Sequence, residues 1–223
     1  MPRFWDLSDD RWAAAKDPNH STVSIINLES RHGAVTLRFF GDYAIQFGSS
    51  RTIPIEGHGK ISIDDPDFFG KPPKGEMLQG YLEIQSDGVR LTGSVVFSDS
   101  GRHAFSAALP LAAELRSTTL FGHVASDSEN FTGLAVLNPQ AEEVVATIDL
   151  HAADGTIEAS TTERIPAKQR RSRLVTEIFP ALSTQNQRSG YIRVTANKPV
   201  AAHVMIWRYD LSAVSPVPPQ DGK

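Results

Sequence analysis

Short stretches of alternating apolar and polar residues, separated by turn residues, run along most of the chain. Residues 34–40 alternate most regularly, with the period of a strand that buries one face. Gly41-Asp42 and Asp154-Gly155 follow such stretches, as tight hairpin turns do. No apolar periodicity predicts a helix of three turns. The pattern therefore predicts an all-β protein of antiparallel β-sandwiches, immunoglobulin-like or jelly-roll-like.

The same pattern places the individual elements. It predicts strands at residues 12–15, 22–28, 34–40, 46–55, 60–63, 102–109, 156–165 and 172–175, and one helical turn at 177–180. It also predicts two hairpins near the ends of the two halves. The first would pair Ile84 with Leu91, and the second would pair Val194 with Val200.

The second half of the chain repeats the first at a spacing close to 111 residues. Asn27 matches Asn138 (138 − 27 = 111) and Gly80 matches Gly190 (190 − 80 = 110). Self-similarity at a fixed spacing indicates repeated structural units. We expect two sandwich modules related by internal duplication, at residues 1–110 and 117–218, with a linker at 111–116 and a flexible tail at 219–223.

Composition and charge narrow the possible partners. Hydrophobic residues make up 40% and charged residues 22% of the chain, as in ordinary soluble globular proteins. The net charge is −4, of which −3 falls in residues 1–111 (11 basic, 14 acidic) and −1 in residues 112–223 (11 basic, 12 acidic). Neither half has the basic balance needed to bind a phosphate backbone, so no nucleic-acid partner is expected. No apolar run approaches 18 residues, so no transmembrane segment is expected.

The cysteine count and the first residues bear on the compartment. The chain contains no cysteine, which excludes disulfide bonds and thiolate chemistry. The opening MPRFWDLSDD lacks the basic and apolar regions of a signal peptide. We therefore expect either a cytoplasmic protein or a mature exported fragment to which Met1 was added.

Three segments carry a family resemblance: FTGLAVLNPQ from Phe131, IPAKQRRSRLVTEIFP from Ile165 and GYIRVTANKPVAAHVMIW from Gly190. They resemble an uncharacterised tandem β-sandwich repeat module of secreted bacterial proteins. The resemblance covers nearly the whole chain but is weaker over residues 8–110, where His20-Ser21-Thr22 replaces Phe-Thr-Gly. It implies an extracellular or cell-surface location, with the cytoplasm as the alternative. It implies no catalytic residues.

The sequence offers no catalytic or cofactor motif, whether a nucleophile elbow, a zinc-protease helix, a phosphate loop or a dinucleotide fingerprint. The histidines are not spaced as paired metal ligands. We therefore predict a protein that is not an enzyme and holds no cofactor. Asp64, Asp65 and Asp67 could offer oxygen ligands to Ca²⁺. Solvated loop charge is the better interpretation, because the second half has no equivalent acidic run.

Five basic residues crowd one strand region of the second half: Arg164, Lys168, Arg170, Arg171 and Arg173. Alternation places Arg171 and Arg173 on one face and Arg170 on the other. Such a cluster could bind an anionic polysaccharide or an acidic partner. We favour the other interpretation, in which charge keeps an edge strand from pairing with other chains.

The outer face of the last predicted hairpin is the candidate ligand site. Its members are Tyr191, Arg193, His203, Met205 and Trp207. Aromatic side chains exposed on a flat sheet can stack on sugar rings, and apolar patches mark contact surfaces generally. Packing against the neighbouring module or another chain is the favoured reason for this face.

These observations favour a non-enzymatic exported module with a structural, adhesive or assembly role. It would act through a protein partner or self-association, because modules in series build length and contact surface. A carbohydrate-binding module that uses the Tyr191 and Trp207 face is the alternative, with polysaccharide as its partner. An enzyme with a site between the modules is a third hypothesis.

Overall fold

The computed structural model of the chain describes residues 20–64, 68, 79–98, 105–112, 114–182 and 187–222. Among these residues antiparallel strands dominate, Val175–Ile178 form a helical turn, α1, and Pro180–Leu182 form a 3-10 turn. The all-β prediction is confirmed. No helix in the described residues is long and apolar enough to cross a membrane. The chain divides between residues 113 and 114 into two compact units, the N-terminal unit and the C-terminal unit.

The described part of the N-terminal unit holds β1 (His20–Asn27), β2 (Gly33–Gly41), β3 (Gln46–Ile55), β4 (Lys60–Ile63), β5 (Gly80–Ser86), β6 (Leu91–Ser98) and β7 (Ser106–Pro110). They form one sheet in the order β4-β1-β6-β7 and another in the order β3-β2-β5. Every second residue of β2 is apolar and buried, as in Val35 and Leu37. These side chains share one core with Val23 and Ile25 of β1. The unit is therefore a two-layer antiparallel sandwich.

The C-terminal unit holds β8 (Arg116–Phe121), β9 (Asn130–Leu137), β10 (Val144–His151), β11 (Ile157–Ile165), β12 (Arg170–Leu174), β13 (Tyr191–Arg208), β14 (Val214–Val217) and β15 (Gln220–Asp221). The long strand β13 belongs to two layers. Its first half pairs with β10 and β8, and its second half pairs with β9 and β14. A register shift between Thr195 and Val200 marks the passage from one layer to the other. Both layers contribute to one core.

The two units have the same strand order in corresponding layers. The order β4-β1-β6-β7 corresponds to β12-β9-β13-β14, and β3-β2-β5 corresponds to β11-β10-β13. A buried asparagine makes an equivalent backbone hydrogen bond in each unit. The Asn27 N–H donates to the Gly59 carbonyl at 3.0 Å, and the Asn138 N–H donates to the Gln169 carbonyl at 2.9 Å. This agreement favours the predicted duplication, which itself stays a prediction.

Both predicted hairpin pairings are wrong. Ile84 of β5 lies opposite Leu37 of β2 rather than opposite Leu91, because β5 and β6 belong to different sheets. Val194 lies opposite Ile148, because β13 continues into the second layer instead of turning back. Apolar alternation is the same in a strand that turns back and in one that crosses to another layer, so the pattern cannot distinguish them.

Several boundaries differ from the prediction. Residues 46–55 and 60–63 are strands as predicted. The predicted flexible tail is wrong at residues 220–221, which form β15 and pair with β8. The predicted linker at 111–116 ends where β8 begins, at Arg116. The strand predicted at 12–15 lies outside the described residues.

Candidate functional site

The structure separates the five predicted ligand residues into two groups. Tyr191 and Arg193 lie in the half of β13 that pairs with β10, whereas His203, Met205 and Trp207 lie in the half that pairs with β9. Met205 and Trp207 are 3% and 2% exposed. The prediction of a single exposed aromatic face is therefore wrong, because β13 changes layer between the two groups.

Trp207 contributes to packing at one end of β9 and β13. Its ring stacks on Phe131 with centroids 6.3 Å apart and planes 4° apart. Phe131 in turn contacts Tyr209 at 5.1 Å between centroids. Aromatic pairs of this kind stabilise a fold beyond the area they bury. Trp207 is thus a packing residue of the C-terminal unit.

His203 is half-buried by its accessible surface, yet it is packed closely enough to shift its pKa far from the ordinary value. Burial, together with the positive charge of Arg170, lowers the pKa of His203 to about 3. The imidazole therefore stays neutral from neutral pH down to strongly acidic pH. It carries no positive charge with which to bind an anionic ligand.

The shifted pKa of His203 predicts a pH-dependent stability. The unfolded chain protonates this residue near pH 6.5, while the folded chain does so only near pH 3. Stability should therefore fall by a few kcal/mol as the pH drops from about 6.5 towards 3. Urea unfolding followed by circular dichroism at pH 7 and pH 4 measures this loss. The loss of stability between pH 7 and pH 4 should be smaller in His203→Gln. It should be unchanged in His32→Gln, because His32 is exposed. Equal losses in the wild type, His203→Gln and His32→Gln would show that His203 does not cause the pH dependence.

Tyr191 and Arg193 lie on the polar outer face of the other layer. The Tyr191 ring stacks flat on His151 across the β10–β13 pair, with centroids 4.5 Å apart and planes 6° apart. Asp149 lies opposite Arg193 and accepts a hydrogen bond from Ser160 Oγ at 2.6 Å. Arg193 Nε is buried and makes no hydrogen bond within the described residues. This face combines an aromatic ring, a carboxylate and a guanidinium donor, which suits polar ligands.

Most of the basic cluster interacts with neighbouring groups of the C-terminal unit. Three members bond to nearby oxygens: Arg164 to Glu143 at 2.8 Å, Arg173 to Glu163 at 2.6 Å, and Lys168 to the Pro139 carbonyl at 2.5 Å. Arg170 is 9% exposed, whereas Arg171 and Arg173 border a cleft on the opposite side of β12. β11 and β12 are the edge strands of their layers. These positions agree with the edge-protection interpretation.

The cleft beside Arg171 and Arg173 is small. It lies between β11 and β12 over the apolar side chains of Leu134, Val136 and Ile165. It encloses about 10 Å³, room for roughly one water molecule. A small-molecule substrate needs a cleft of some hundreds of Å³, so this one is no substrate pocket.

Three aspartates of the described residues close turns by accepting a backbone N–H two residues further on. Neighbouring donors lower three aspartate pKa values: the backbone N–H of Glu129 for Asp127, the backbone N–H of Thr156 for Asp154, and the Ser212 hydroxyl for Asp210, whose pKa falls to about 2. Aspartates commonly close turns in this way. No group of three potential metal ligands occurs among the described residues, and Asp64 is exposed. Asp65 and Asp67 lie outside those residues.

The hairpin tip between β2 and β3 carries an apolar surface that the sequence reasoning missed. Tyr43 and Ile45 are 66% and 61% exposed. Ala44 between them has φ 63°, in the left-handed region. Its N–H donates to the Gly41 carbonyl at 3.0 Å. The corresponding turn of the C-terminal unit has Gly155 at φ 90°. Glycine has no Cβ and adopts this conformation without a steric clash.

An aromatic pair lies at the same end of the sheet. Phe40 stacks on Tyr81 across the β2–β5 pair, with centroids 5.4 Å apart. Both rings are half-buried on the outer face. We call Phe40, Tyr43, Ile45 and Tyr81 the tip patch. Large apolar residues directly beside Gly41-Asp42 are the signal that could have revealed it, since turn positions are usually polar or glycine.

Comparison with known proteins gives no family. No protein-family model matches the chain, and no curated protein matches it. Among solved structures, Bacteroides uniformis β-glucuronidase 2, covalently bound to cyclophellitol-6-carboxylate aziridine, is similar with a TM-score of 0.19 and 8% identity. The match covers 90% of this chain and 24% of that one, so the chain spans about a quarter of its length. At that TM-score the likeness carries no argument about fold or function.

Proposed function

We propose that the protein is a non-enzymatic, exported structural or adhesive module that assembles at the cell surface, and that the tip patch is a contact surface. The exposure of Tyr43 and Ile45 on a strained turn is the observation that carries this proposal. Apolar residues exposed side by side do nothing for the core of their own unit. Contiguous exposed apolar surface is typical of protein–protein contact sites.

The backbone at the tip is also strained. Holding a residue with a Cβ in the left-handed region costs on the order of 1 kcal/mol. Ala44 accepts that cost where Gly155 of the other unit avoids it. His58, Lys168 and Leu211 share this conformation, so the pair of exposed apolar side chains is what distinguishes the turn at Ala44.

We propose that the tip patch binds a second copy of the chain. The equivalent hairpin of the C-terminal unit exposes Ile157 at 59%, so one chain carries an apolar tip on each unit. Two different surfaces on one chain can link copies head to tail, which forms rings or filaments. Serial units of this kind build the extended contact surfaces that assembly proteins use.

Self-association should therefore depend on the tip. Light scattering should show the wild-type mass rising with concentration. The double variant Tyr43→Ser/Ile45→Thr should stay monomeric with a similar melting temperature, because both side chains are exposed. Ala44→Gly is the matched control, since it keeps both apolar side chains and relieves the turn. A wild type that stays monomeric at every concentration, or a double variant that associates equally, would refute the proposal.

Carbohydrate binding remains the alternative function, with less support. The hypothesis depended on Tyr191, Met205 and Trp207 forming one exposed face, but Met205 and Trp207 are buried. The half-buried Tyr191, beside Asp149 and Arg193, is what supports it now. The informative variant for that alternative is Tyr191→Ala rather than Trp207→Ala, which would disturb packing.

A further inference from the structure

Three aspartate–glycine pairs lie in the described part of the chain, at Asp87-Gly88, Asp154-Gly155 and Asp221-Gly222. The first pair lies in the connection from β5 to β6, which belong to different sheets. Asp87 and Gly88 are both exposed, and Gly88 has φ 74°, a conformation that favours glycine. Because glycine has no Cβ to shield its own backbone nitrogen, the preceding side chain can approach that nitrogen.

The Asp87 carboxylate and the Gly88 N–H make no hydrogen bond to any residue that the structure describes. The chain is nevertheless held on both sides of them. The Asp87 N–H donates to the Ala34 carbonyl at 2.9 Å, and Val89 is 4% exposed within the core of the N-terminal unit. The peptide bond between Asp87 and Gly88 therefore lies between two anchored points, with a carboxylate and an amide that no protein group occupies.

The other two pairs differ at these groups. Thr156 donates to the Asp154 carboxylate from its backbone N–H at 2.9 Å and from its hydroxyl at 2.7 Å. These bonds lower the pKa of Asp154, and the Gly155 N–H donates to the Ala152 carbonyl at 3.0 Å. Asp221 belongs to β15, which pairs with β8, so a neighbouring strand holds its backbone extended.

We propose that Asp87 is a site of spontaneous isoaspartate formation. The Gly88 nitrogen attacks Cγ of the protonated Asp87 carboxyl and forms a C–N bond, while the carboxyl hydroxyl leaves with the amide proton as water. The product is a cyclic succinimide. Water then opens the ring at Cγ, which restores aspartate, or at the backbone carbonyl carbon, which yields isoaspartate. The mass of the chain is unchanged, because the water that leaves is replaced by the water that enters.

The modification would alter the connection between the two sheets. Isoaspartate carries the main chain through its Cβ, so it adds a methylene between the Asp87 bond to Ala34 and the buried Val89. Ser86 Oγ also donates to the Val89 carbonyl at 2.6 Å across the altered bond. A close-packed core tolerates an added methylene poorly, so the modified protein should unfold at a lower temperature than the unmodified one. This inference is independent of the tip patch.

Ageing the full chain in warm neutral buffer tests the proposal. Proteolytic mapping with electron-transfer fragmentation distinguishes isoaspartate from aspartate of equal mass. In the folded protein the isoaspartate fraction at Asp87 should exceed the fraction at Asp154 several-fold. In the same chain unfolded in urea the two fractions should be similar, because the hydrogen bonds to Asp154 and Gly155 are then absent.

Two variants at the same exposed position serve as controls. Asp87→Glu keeps the charge but would have to close a larger ring, so it should remove the signal at this position and leave Asp154 unchanged. Asp87→Asn reaches the same succinimide by losing ammonia, so it should increase the isoaspartate fraction. Equal fractions at Asp87 and Asp154 in the folded protein, or isoaspartate at Asp87 only after unfolding, would overturn the inference.

Discussion

Replacing Asn138 by alanine is expected to lower the free energy of unfolding of the C-terminal unit by about 3 kcal/mol. Asn138 is 0% exposed, and its Nδ2 donates to the carbonyls of Glu142, Ile165 and Pro166 at 2.7, 2.9 and 3.1 Å. Its Oδ1 accepts the N–H of Gln140 at 2.8 Å. Alanine removes both the donor and the acceptor, so these backbone groups lose their partner in a site closed to water.

Denaturant unfolding of matched variants checks this expectation. Asn138→Asp keeps the shape but replaces the donor by an acceptor, so it should be at least as destabilising. Asn27→Ala should reproduce the effect in the N-terminal unit, where Nδ2 donates to the Arg31 and Glu56 carbonyls at 2.7 and 3.1 Å. Asn197→Ala, at an exposed position, should cost less than about 1 kcal/mol. A similarly small cost at Asn138 would show that the bonds are not needed.

Gly80→Ala is expected to be comparably damaging, at about 3 kcal/mol, because the backbone of two strands must move apart. A methyl group on Gly80 would lie 1.8 Å from the carbonyl oxygen of Phe40. Gly80 is paired with Gly41 at the end of the β2–β5 ladder, beneath the tip patch. The clash is with backbone, which cannot rotate away as a side chain would.

Alanine substitutions at two other glycines provide a comparison for the effect of Gly80→Ala. A methyl on Gly190 would lie 2.4 Å from the His151 carbonyl oxygen, so Gly190→Ala should repeat the loss in the C-terminal unit. Nothing lies within 4 Å of a methyl on Gly122, so Gly122→Ala should stay within about 0.5 kcal/mol of the wild type. If thermal unfolding ranks Gly80→Ala with Gly122→Ala, the close approach of β2 and β5 is not as described.

The sequence predicted best what depends on neighbouring residues. Alternation located β3 and β4 to the residue, because a strand with one buried face imposes its period locally. The match of Asn27 with Asn138 aligned two residues that the structure shows to be buried, each with Nδ2 bonded to the carbonyl four residues further on. Both successes rest on patterns that can be read over fewer than ten residues or by simple comparison of the two halves.

Pairing between distant strands could not be predicted in the same way. The partners of β13 follow from how two layers share one core, and a local pattern contains no information on that choice. The burial of Trp207 follows from the same choice, since it depends on which layer its half of the strand joins. The exposure of Tyr43 and Ile45 was missed because apolar residues are expected inside.

The central claim, that the tip patch mediates self-association, is tested most directly by amide NMR spectra of the wild-type protein at increasing concentration. The account predicts that shifts concentrate in residues 40–46 and at Tyr81, and that they disappear in Tyr43→Ser/Ile45→Thr. Spectra that do not change with concentration, or changes confined to surfaces away from the hairpin tip, would contradict it.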